Sequence, residues 1–149
     1  QAWVATSPYI SQLEAAADYL ATSTAPHLQW DLVYQSRSGS PRDPWLGPDI
    51  VEHLERVATA GTETVVVVPL GFVSDHMEVR FDLDVQARQA AESLGLVMIR
   101  AATPGTHPAF VDTLHDLVEE HIWPKKPIAT IGEAWPNSCP ASCCAVPQR

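Results

Sequence analysis

The chain has 149 residues, 46% of them hydrophobic, enough for one domain with a sizeable core. Eighteen acidic against nine basic side chains leave a formal net charge of −9, which argues against nonspecific binding to nucleic acid or an anionic membrane. No apolar run reaches the about 20 residues that a bilayer-spanning helix needs, and the start, Gln1-Ala-Trp-Val-Ala-Thr6, lacks the basic and apolar regions of a signal peptide. A cytoplasmic protein is expected.

In chain order, Ser7 and Pro8 suit the cap and first position of a helix running to about Ala21. A strand is expected over about residues 29–35, followed by a polar, broken loop from Ser36 to Pro44. Pro48 and Asp49 open a second helix with Ile50, Val51, Leu54 and Val57 on one stripe, stopped by Gly61. The β-branched run at residues 63–70 suits a parallel strand buried on both faces. Ser74 or Asp75 caps a third helix ending near Leu94, with Gly95 as its stop. A third strand covers residues 96–101, and after the turn Thr103-Pro-Gly-Thr106 a last helix starts at Pro108, with Phe110, Leu114, Leu117 and Val118 on one stripe. Residues 1–123 thus read as one α/β domain, and residues 124–149, rich in proline and small side chains, as an extended tail.

Helices alternating with strands predict a parallel sheet with right-handed crossovers, whose loops after the strands open on one edge. The segments 36–44, 72–78 and 103–106 would meet there. Asp75, His76 and Glu78 stand directly beyond the carboxyl end of an apolar strand, where ligands of such folds bind. Glu78, Asp82 and Gln86 fall at i, i+4 and i+8 of the third helix and form one ridge. Oxygen ligands suit hard divalent cations and imidazole suits ferrous iron, so the ridge reads as a metal path. The same spacing also describes a solvated helix face whose acids complement the macrodipole. His76 and Glu78, two apart, aim into one cleft only if the helix starts frayed or π-bulged. Arg37 and Arg42, on either side of Gly39, are either carboxylate clamps or solvated loop cations, and Trp45 is either a core plug or a stacking face for a planar ligand. The dinucleotide, phosphate-loop and nucleophile-elbow motifs are all missing.

Tyr34-Gln-Ser-Arg-Ser-Gly39, Pro44-Trp-Leu-Gly-Pro48 and the run from Val68 to Asp84 with its Ser-Asp-His-x-Glu core resemble the carboxyl-terminal half of ferrochelatase, the lyase of haem biosynthesis that inserts ferrous iron into a porphyrin. The resemblance covers about residues 7–123. It implies a chelatase-type fold of two Rossmann-like half-domains, a parallel sheet with flanking helices in each, with the porphyrin in the cleft between them; this chain supplies only the second half. It also implies that an active-site histidine belongs to the missing amino-terminal half, so that this chain alone inserts little or no iron.

By the same resemblance, Glu78 is the active-site glutamate for metal delivery or pyrrole proton transfer, with His76 and Asp75 as its partners. Asp82 is the next carboxylate of the metal path, and Gln86 stands where many relatives have Glu. Gln35, Ser36, Arg37, Ser38 and Trp45 line the porphyrin pocket. Iron enters as substrate. Some relatives hold a [2Fe–2S] cluster on three late cysteines and one earlier one, and Cys139, Cys143 and Cys144 stand where the trio would be, in a C-x-x-x-C-C spacing that departs from the family's wider one. The other readings are a single-domain chelatase of the sirohydrochlorin type, which would need an early histidine that residues 1–20 lack, and a noncatalytic porphyrin- or iron-binding module.

Overall fold

The computed structural model describes residues 8–36, 45–123 and 130–131. These fall into two compact units, one containing residues 31–105 and the other the segments before and after it. The outer segments carry α1 (Tyr9–Thr24) and α5 (Pro108–Ile122). Pro108 takes the first position of α5, and the His107 ring caps that helix by accepting from the Ala109 amide at 3.3 Å. At α1 it is Pro8 that stands at the cap position, so the expected Pro8 start lies one residue further on; Ser7 lies outside the described residues.

The central unit holds α2 (Ile50–Thr59), β1 (Thr64–Val67), a continuous helix from Met77 to Ser93, and β2 (Val97–Arg100). Strands β1 and β2 pair in parallel, Thr64 opposite Val97 through Val67 opposite Arg100. The strand expected over residues 29–35 is reduced to one parallel bridge between Tyr34 and Asp49, so the sheet has two strands among the described residues rather than three. The partner segment explains this. Tyr34 N–H donates to the Pro48 carbonyl and its carbonyl accepts from Ile50 N–H, both at 2.9 Å, but Pro48 has no N–H and the chain turns into α2 at Ile50, so the ladder cannot extend. Strand β1 also stops early, two residues before Pro69, for the same lack of a donor.

Asp49 caps α2 by accepting from Val51 N–H at 2.8 Å, and Gly61 and Gly95 close α2 and the long helix with φ of +89° and +73°. The long helix begins as a short α3 (Met77–Val79), continues as a π-helix from Arg80 to Ala87, and returns to α4 (Arg88–Ser93). Its cap is His76, not Ser74 or Asp75.

Val79, Leu83, Ala87 and Ala91, all at most 1% exposed, are spaced by four along this helix. On an α-helix a step of four overshoots a full turn by about 40°, whereas on a π-helix it falls about 30° short. Combining the two pitches keeps a strict four-residue repeat on one face. That face joins Ile50 and Leu54 of α2, Leu96 just before β2 and Met98 within it in the core. The opposite face of the sheet stays bare, with Val66, Val97 and Ile99 each more than half exposed.

Candidate functional site

Two of the segments expected to converge, 72–78 and 103–106, meet beyond the carboxyl ends of the strands; of the third, 36–44, only Ser36 is among the described residues. Gly105 N–H donates to the Val73 carbonyl at 2.8 Å, which ties the turn after β2 to the loop after β1. The Ser36 hydroxyl donates to Asp82 Oδ2, which ties the end of the 29–36 segment to the π-helix. Ser36 holds a left-handed backbone, φ +64°, uncommon for a residue with a side chain.

His76 and Glu78 are both exposed at the head of the helix, and Asp82, one turn on, is half-buried. His76 Nδ1 accepts from Val79 N–H at 3.4 Å, and the ring meets Phe72 edge-on with centroids 4.8 Å apart. A ring nitrogen that accepts carries no proton, so the neutral ring has its proton on Nε2 and offers a donor there. Imidazole is thus a cap and an N–H donor in this arrangement. Glu78 follows as an acid in the first turn. Gln86 is exposed further along the π-helix.

Asp75 does not face the same way as an independent base. Its carboxylate accepts from Arg100 at 2.8 Å, and the same guanidinium holds Asp84 through two parallel bonds, Nε to Oδ1 and Nη2 to Oδ2, both 2.8 Å. The Arg100 side chain is 10% exposed. The bond from Arg100 is the main cause that holds the Asp84 carboxyl below its ordinary range, with burial opposing and the charges of Arg100, Arg88 and Arg80 adding to it. Asp84 in turn raises Arg100 above its ordinary value, so this cation persists at any working pH. Sequence reasoning missed both residues. The signal was present: Arg100 is the one charge closing the otherwise apolar run Leu96-Val-Met-Ile-Arg100 at the sheet edge where a site was expected.

On the loop side, Gln35 Nε2 is buried with no hydrogen-bond partner among the described residues. An unmade bond of this kind costs about 1–3 kcal/mol, and a ligand acceptor would recover it. Trp45 is 40% exposed and, with Tyr34, Leu46, Gly47, Asp49 and Glu52, lines a pocket of about 210 Å³. It is therefore no core plug. Arg37, Ser38, Gly39, Arg42, Cys139, Cys143, Cys144 and the tail lie outside the described residues. His115, Asp116 and Glu119 on α5 bring potential ligand atoms within 4.8 Å of one another, but His115 already faces its neighbour Asp116 at 3.7 Å and both are exposed. No helix among the described residues is long and apolar enough to cross a membrane.

The ferrochelatase family profile matches residues 1–122. The coproporphyrin III ferrochelatase of Frankia alni is 47% identical over 147 residues, covering 95% of this chain and 38% of the relative. That of Streptomyces coelicolor is also 47% identical, over 86% of this chain and 36% of the relative, and a ferrochelatase of Rhodopirellula baltica is 42% identical over 95% and 41%. The chain thus spans about two-fifths of the length of these relatives. With a family profile over residues 1–122 and relatives of up to 47% identity over most of its length, this chain belongs to the ferrochelatase family.

Proposed function

We propose that this chain is the carboxyl-terminal half of an enzyme that inserts Fe²⁺ into a porphyrin, with residues 1–123 as the chelatase-like half-domain and coproporphyrin III, named for the similar relatives, as the substrate. Its partner is an amino-terminal half-domain that closes the cleft, and without it the chain inserts little or no iron. The observation that supports the reading is the bond between Ser36, a pocket residue by resemblance, and Asp82, a metal-path residue by resemblance.

The reaction must remove two pyrrole protons as the dication enters. Glu78, exposed at the helix head, is the group suited to accept them, and Asp82 is the next oxygen ligand along the ridge. Gln86 ends that path with a neutral amide oxygen. His76, with its proton on Nε2, holds the helix head and donates rather than accepts. Gln35 supplies a buried donor, Ser36 positions Asp82, and Trp45 offers a ring face. Arg37 and Ser38 complete the pocket as donors to the acidic side chains of the porphyrin.

The test is metal insertion by the full-length enzyme, followed by porphyrin absorbance. Glu78→Gln should lower kcat by about 10²-fold or more while porphyrin still binds. Insertion at the parent rate would remove Glu78 from the mechanism.

A further inference from the structure

We propose that Arg100 is a positioning residue for metallation, clamping the turn that leads into His76 and Glu78 at the head of the long helix by holding Asp75 and Asp84 at once. The inference rests on the functional reading above.

Arg100 ends β2, on the sheet face that the long helix covers, because Val65 and Met98 are paired and Val67 pairs with Arg100 two residues on. Its guanidinium spends four N–H groups: one each from Nε and Nη2 on Asp84, and two from Nη1, on Asp75 and, at 3.2 Å, on the Ala101 carbonyl. Two pieces of chain, 25 and 16 positions upstream, are thereby fixed to the end of β2. A planar fork is required for this. A lysine ammonium could neutralise one carboxylate but cannot form the parallel pair with Asp84 and reach Asp75 as well.

The turn needs such a tie. Residues 71–76 have no regular structure, and their backbone bonds are local apart from the one from Gly105 to Val73. Without Arg100, the carboxylates of Asp75 and Asp84 would repel within an already acidic chain, and the turn carrying Asp75 would swing away from the helix. A displacement of about 1 Å at a reacting group is enough to cost on the order of 10²-fold in rate. The clamp thus controls where Glu78 stands without touching substrate itself.

The experiment has two arms. In this chain, amide exchange at Val79, whose N–H is held by His76, reads the geometry directly: Arg100→Lys and the milder Asp75→Asn should each lower its protection by about tenfold, and unchanged protection in both would overturn the proposal. In the full-length enzyme, both variants should lower kcat by about tenfold or more with porphyrin KM within about twofold, and the double variant should be no worse than the worse single one. The core variant Ile50→Val supplies a control with lowered Tm and parental kcat. If Arg100→Lys and Asp75→Asn lowered Tm alone, Arg100 would be merely structural and the proposal would fail. A parent enzyme that inserted no iron would sink the functional reading instead, leaving the Val79 arm to decide the clamp.

Discussion

The Ser36 hydroxyl donates to the carboxylate of Asp82, 46 positions further along the chain. To reach it, Ser36 adopts a left-handed backbone that costs about 1 kcal/mol or more for a residue bearing a Cβ. A residue placed by strain and a carboxylate oriented by a hydroxyl are thus one arrangement. It joins the two sides of the candidate cleft that this chain supplies.

Replacing Ser36 separates these two contributions. Ser36→Ala keeps the backbone strain and loses a bond to a charged acceptor, so it should destabilise by about 1.5–3 kcal/mol. Ser36→Gly loses the same bond and relieves the strain, so it should be more stable than Ser36→Ala by about 1 kcal/mol. Urea denaturation of both variants measures the difference. The reverse order would show that the left-handed backbone is not imposed.

His76 has two separable properties, the cap and the ring. His76→Ala should destabilise by about 0.5–1 kcal/mol, near the low end for a lost cap because the bond to Val79 is long. Asparagine caps helices well, so His76→Asn should recover most of that stability while still lacking the Nε2 donor. Equal thermal stability of His76→Ala and the parent would show that the cap contributes nothing.

Asp84 should govern part of the acid limb of stability. Its folded-state pKa lies below the unfolded value of about 3.9, chiefly through the bond from Arg100, so the folded state favours the carboxylate. That stabilisation is present above the unfolded pKa and is lost as pH falls through the folded one. Asp84→Asn should therefore be less stable than the parent at neutral pH, and the gap should narrow below about pH 4. A gap that stayed constant from pH 7 to pH 3 in denaturation curves would contradict the coupling.

Leu83 sits in the π-helix at 1% exposure, between Val79 and Ala87 of the core series. Leu83→Ala should cost about 2–5 kcal/mol, the range for a buried leucine whose neighbours cannot close the space. A loss under about 1 kcal/mol in chemical denaturation would mean that the wide turn collapses onto the gap.

The apolar runs and stop glycines made α2, β1, β2 and α5 legible, because each depends on local periodicity and on residues such as Asp49, Gly61, Gly95 and Pro108 acting within their own element. The segment at residues 29–35 looked equally strand-like, but a strand exists only with a neighbour to pair with, and Pro48 withholds that neighbour. The acids of the site were legible as a pattern. What each one does was not, since His76 takes the cap in place of the better-suited Ser74 and Asp75, and the pairing of Asp75 with Arg100 arises from a contact across 25 positions that no spacing rule encodes. The π-helix had left a trace in the four-residue repeat of Val79, Leu83, Ala87 and Ala91, which a 3.6-residue template reads as a slightly imperfect α-helix.

That repeat ties the pitch of the segment to its residue count. Glu78, Asp82 and Gln86 each stand one place before Val79, Leu83 and Ala87, so the acidic file and the core file run side by side down the helix. Deleting a single residue between Arg80 and Ala87 would let the wide turns relax to α pitch, replacing eight steps of about 82° by seven of about 100°, so that everything upstream turns by only about 40° relative to α4. Glu78 would stay near its present side of the axis. The loss of one codon from this segment is thus a change that its wide turns can absorb.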